Sequence, residues 1–97
     1  MKMKTKTKTI QHPVHIGNAV FVRTVTNHLV GRIVLLDKES FVLDDASWVA
    51  WPDDDHAVVL GGRLSNTQKY PHPVAVYRGA CVDVTSWPHP LPKDSIK

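Results

Sequence analysis

Gly31-Arg32-Ile33-Val34-Leu35-Leu36, then Asp37-Lys38-Glu39-Ser40, then Phe41-Val42-Leu43 is the stretch on which the fold turns. β-Branched and aromatic residues on either side of a polar four-residue connection read as two strands, the second returning antiparallel to the first. Upstream, Ala19-Val20-Phe21-Val22-Arg23-Thr24-Val25 reads as a preceding strand, with Asn27-His28 as the turn between. Downstream, Val74-Ala75-Val76-Tyr77 and Ala80-Cys81-Val82-Asp83-Val84 flank Arg78-Gly79 and make a fourth and a fifth strand. Val82 and Val84 fall on one face of the last, Asp83 and Thr85 on the other. Between strands three and four, Pro52 and the triplet Asp53-Asp54-Asp55 suit a first helical turn and Gly61-Gly62 supplies a stop, which predicts a short helix from Asp53 to Leu60. Trp87-Pro88-His89-Pro90-Leu91-Pro92 is extended, because proline fixes φ and removes donors. The expectation is an all-β fold: a small, closed five-stranded barrel that disposes of its own edges, with one short helical insertion. Residues 1–13 form a basic tail and residues 14–97 a single domain.

Ninety-seven residues, 42% hydrophobic and 22% charged, are an ordinary globular composition for one small core. The longest apolar run, Ile33 to Leu36, is far short of a bilayer span, and the lysine-rich opening leads into Ile10-Gln11-His12-Pro13 in place of an apolar leader. A cytoplasmic protein with no membrane partner is expected. Cys81 stands alone and has no cysteine to pair with. The net charge of +3 points to nucleic acid only until its location is considered. Lys2, Lys4, Lys6 and Lys8 lie in the tail, and the remaining chain holds eight Lys and Arg against nine Asp and Glu. The domain has no basic stripe for a polymer, so recognition must rest on a few placed arginines.

Residues suited to catalysis are sparse. His12-x-x-His15 contains Pro13 and adjoins no third ligand, and His72 and His89 each sit between two prolines. Asp44 and Asp45 are adjacent and would point to opposite faces of a strand, a poor arrangement for a general acid and base. Motifs for a nucleophile elbow, a phosphate loop or a dinucleotide fold are absent from the sequence. A protein that is not an enzyme and uses no cofactor or metal is expected. Trp48, Trp51 and Trp87 flank strand ends and prolines, where an indole covers a core or a subunit interface, or stacks on a base.

Gly31, Asp37 and Phe41-Val42-Leu43-Asp44-Asp45 resemble the first motif of the Sm-like proteins, and Val76-Tyr77-Arg78-Gly79-Ala80-Cys81-Val82-Asp83-Val84 resembles the second. The likeness covers roughly Gly17 to Thr85. It implies a bent barrel that closes rings by pairing its fourth strand with a neighbour's fifth, with Asp37 to Ser40 and Arg78-Gly79 facing a pore that binds single-stranded RNA. Lys38 to Ser40 stand where the family has an aromatic and an asparagine that hold a base, and Trp48 to Pro73 is an insertion. Val20 to Thr26, Gly31 to Val34, Asp45 to Ala50 and Trp87 to Pro92 also resemble small proteins of tailed phages and prophages. That likeness implies no activity, but a role in sequestering or engaging something of the host.

The leading expectation is therefore a non-enzymatic homo-oligomer that binds a phosphate-bearing nucleotide, a host signalling nucleotide ahead of a short RNA. Its candidate ligand-binding residues are Arg78, Gly79, Arg32, Arg23, Asp37 and Trp48. The alternative is an inhibitor or virion component acting on a host protein through the proline-rich end and the tryptophans.

Overall fold

The computed structural model describes residues 10–50, 55–64 and 66–96. The alternating lysine tail, Trp51 and the first two acids of the aspartate triplet lie outside them. Six described strands form one antiparallel sheet: β1 (Ala19–Thr24), β2 (His28–Leu36), β3 (Ser40–Val49), β4 (Thr67–Lys69), β5 (Val74–Tyr77) and β6 (Cys81–Ser86). Their spatial order is β4-β3-β2-β1-β6, and β5 pairs with the first half of β3, from Ser40 to Leu43. A 3-10 turn, Arg78–Ala80, joins β5 to β6, and one helix, α1 (Asp55–Gly61), precedes β4. The all-β expectation holds. Closure does not follow from these pairings, because no ladder joins β5 to β6 among the described residues and each keeps an open edge.

β1 shows why the sequence reads so apolar at its start. Val20 and Val22 face an inner core with Leu29, Ile33, Phe41, Leu43, Ala46 and Val76, while Ala19 and Phe21 face an outer core with Val30, Val49 and Trp87. A strand buried on both faces needs a continuous apolar run. The outer face is covered by Val58 and Val59 of α1 and by Leu91. Gly62, at φ +68, ends α1 in the left-handed conformation, its N–H donating to the Val58 carbonyl at 2.8 Å. The expected Gly61-Gly62 stop is thus realised one residue past the helix.

The β1–β2 turn is built by Thr24, whose Oγ1 accepts from the Asn27 N–H at 3.0 Å and donates to the Asn27 side chain at 2.8 Å. His28 begins β2 and is buried against Phe21, so the turn runs from Val25 to Asn27 and takes only the first residue of the expected Asn27-His28 pair. β2 and β3 bend together through two register shifts. At the first, Val30 pairs with Ser47 and Arg32 with Asp44, so Gly31 faces an extra residue on β3. Asp45 takes φ 50 there, the one left-handed non-glycine residue described. The bulge leaves Asp44 and Asp45 both exposed, and β3 runs on through them to Val49. It also explains why β3 is so much longer than Phe41-Val42-Leu43.

From Trp87 to Ile96 the chain forms a strap across the outer face. The Trp87 N–H donates to Ala19 at 2.8 Å, His89 Nε2 donates to the Val59 carbonyl at 2.7 Å, and Thr67 and Ile96 exchange backbone bonds at 2.7 and 3.1 Å. β4 has three residues and gains its second neighbour from this strap. No helix among the described residues is long and apolar enough to cross a membrane.

Candidate functional site

Arg78 opens the turn between β5 and β6, and three interactions place it. Its N–H donates to the Glu39 carbonyl at 2.9 Å, its Nη2 donates to the Asp37 carbonyl at 3.1 Å, and its guanidinium lies 5.7 Å from the centre of the Phe41 ring. The last is a cation–π contact that holds the charge over an apolar surface. Beside it, His12, Pro13, Val14, Phe41, Cys81 and Val84 complete a cleft of about 360 Å³. Phe41 belongs to the inner core and Val14, Cys81 and Val84 pack against it, so the cleft borders that core, with Arg78 in its lining. Burial pushes the Cys81 thiol above its ordinary value, with the nearby Arg78 charge pulling the other way.

Asp37 contributes through its backbone. Its carboxylate Oδ1 accepts the Lys38 N–H at 2.6 Å, and its carbonyl accepts Arg78. Gly79 has no positive φ, and a side chain added there would meet nothing within 4 Å. The turn itself does not require glycine.

The other candidates lie elsewhere. Arg23 pairs with Asp83 across the β1–β6 ladder: Nε is 3.0 Å from both carboxylate oxygens and Nη2 is 2.5 Å from Oδ2. Arg32 donates from Nη1 to the Gly17 carbonyl at 2.9 Å and sits on the opposite face of the sheet. Trp48, half-buried near the end of β3, lines neither the Arg78 cleft nor the cleft beside Arg32. Trp87 is buried in the outer core, so its indole serves packing. His12 and Pro13 of the cleft had no role in the sequence reading beyond a loop. His12 Nδ1 accepts the Val14 N–H at 2.9 Å, which turns the segment back over the sheet. No three His, Cys, Asp or Glu among the described residues converge as metal ligands.

The Arg23 pair has a measurable consequence. Hydrogen bonding to Arg23 is the chief cause that holds the Asp83 carboxyl below its usual value. A carboxylate lowered by folding stabilises the protein above its unfolded pKa, and that contribution is lost as the pH falls through the folded value. Carbon-detected NMR titration should therefore show Asp83 ionising below the ordinary carboxylate range, and Arg23→Met should return it towards that range. Partial exposure of the pair keeps the stability effect small.

Comparison with known protein families, curated proteins and solved structures finds no match to this chain.

Proposed function

We propose that this chain is a non-enzymatic binding module for a phosphate-bearing nucleotide, with the base in the Arg78 cleft and a phosphate on the Arg78 guanidinium. The observation that carries this is one arginine in the lining of a mainly apolar cleft. Among the described residues, Arg78 spends a single side-chain hydrogen bond, on the Asp37 carbonyl. Its remaining N–H donors suit paired contacts to phosphate oxygens. The cleft falls within the usual range of small-ligand pockets, about 300–1,000 Å³, which favours a mononucleotide or short signalling nucleotide over a polymer.

Assembly belongs to the same proposal. β5 and β6 present open edges, with Tyr77 and Val82 exposed beside them and Leu35 and Leu36 exposed at the end of β2. Open edges are templates for strand pairing, and β5 carries no charge while the one acid of β6, Asp83, is paired with Arg23. Pairing of β5 with the β6 of another copy supplies the neighbours that each lacks, in an Sm-like ring of bent barrels. The same apolar edges favour the second reading, a module that captures a host protein.

Calorimetric titration of a panel of nucleotides, with light scattering on the same sample, tests both. Arg78→Ala should weaken nucleotide binding by about 1.5–3 kcal/mol, roughly 10- to 100-fold, with the oligomer mass unchanged. Unchanged affinity for every nucleotide tested overturns the ligand assignment, and a monomer mass at working concentration overturns the ring. A protein purified from cells with an absorbance ratio explained by its aromatic content alone favours the protein-binding reading.

A further inference from the structure

On the other face of the sheet, under the strap, a second cleft of about 430 Å³ lies between Arg32 of β2, Asp45 of β3, Lys69 of β4 and the segment from Pro90 to Lys93. We propose that it binds a dianionic phosphate monoester of a small organic molecule. The β3 bulge assembles it. By turning Asp45 outward, the bulge sets its carboxylate 3.6 Å from Lys69 Nζ, while pairing of Lys69 with Ser47 brings that lysine to the same face. Lys69 Nζ also donates to the Pro92 carbonyl at 2.8 Å, which ties the strap over the cleft.

Three cations therefore share the cleft with one carboxylate. Asp45 is an incomplete counter-ion, long in distance and two-thirds exposed, whereas the Lys69 side chain is three-quarters buried. A partly buried ammonium favours a second anion. Arg32 keeps N–H donors beyond the Nη1 bond to Gly17, and Lys93 makes no described polar contact. Two excess positive charges match a dianion better than a carboxylate or a phosphodiester. Pro90, Leu91 and Pro92 give the cleft an apolar wall, and its volume leaves room for more than inorganic phosphate.

This site is independent of the Arg78 reading. Amide NMR titrations of the full chain with inorganic phosphate, glucose 6-phosphate and a dinucleotide phosphodiester test it. The expected result is saturable shifts around Arg32, Lys69 and Lys93, with the monoester binding most tightly. Asp45→Asn keeps a residue tolerant of the left-handed conformation and removes a repelling charge, so it should tighten monoester binding about threefold. Lys93→Ala should weaken it by about the same factor. Arg78→Ala should leave it unchanged, so that failure of the nucleotide site and of this one are told apart. Non-saturating shifts, shifts reproduced by sodium chloride at matched ionic strength, equal binding of the phosphodiester, or indifference to Asp45→Asn overturns the proposal.

Discussion

Trp87→Ala is expected to cost about 3–5 kcal/mol of stability, near the upper end for removal of a buried aromatic side chain. For a chain of this length that corresponds to a fall in Tm of roughly 12 °C or more. Trp87 is only 3% exposed and lies between three elements. Its ring stacks on Phe21 of β1 at 5.8 Å and meets His89 edge-on at 4.8 Å, and its Nε1 donates to the Pro90 carbonyl at 3.4 Å. Alanine keeps the backbone bond to Ala19 but leaves a hole in the outer core, where Val30 and Val49 lose a covering. Trp87→Phe fills most of that space and should retain most of the stability. Thermal and urea unfolding of the three proteins checks this, and an alanine variant within about 1 kcal/mol of the parent contradicts the packing described.

Gly31→Val should cost about 3 kcal/mol, the upper end of overpacking. A Cβ at Gly31 would lie 3.0 Å from the Leu43 Cβ, 3.2 Å from the Ala46 Cα and 3.2 Å from the Asp44 carbonyl oxygen. Two of those atoms are backbone on the bulged strand, so they cannot rotate away. The glycine is needed for closeness, since its φ is not positive. Gly79→Ala, with open space around the added methyl, is the matched control and should leave the melt unchanged. Equal melts for the two glycine variants would overturn the account of the bend.

Much of this fold was legible in the sequence, and the exceptions have causes. Val74–Tyr77 matches its expected bounds because proline and the Arg78-Gly79 turn bracket a short apolar run. β3 runs well past Phe41-Val42-Leu43 because a bulge with two exposed acids interrupts its alternation, and such a bulge leaves no periodic trace. β4 has no signal of its own: Thr67-Gln68-Lys69 is polar, and its partners in the strap stand almost thirty positions away. Of the site, Arg78 could be singled out from its place in the turn. The pairing of Arg23 with Asp83 leaves no trace in the sequence, because the two strand residues stand 60 positions apart. His12 enters the cleft only because the segment before β1 folds back, and Lys69 and Lys93 meet only through the strap.

The two neighbours of β1 have very different histories in the chain. β2 follows it within four residues, whereas β6, on its other side, pairs Arg23 with Asp83 across 60 positions, and Asn18 reaches Ser86 across 68. Pairing so remote in sequence delays folding towards the millisecond-to-second range typical of small all-β domains. During that interval the apolar strand Ala19 to Val22 has one edge exposed to whatever other chain is near. Refolding yield should therefore fall as protein concentration rises, and the losses should be set by how soon residues 81–87 return to the beginning of the domain.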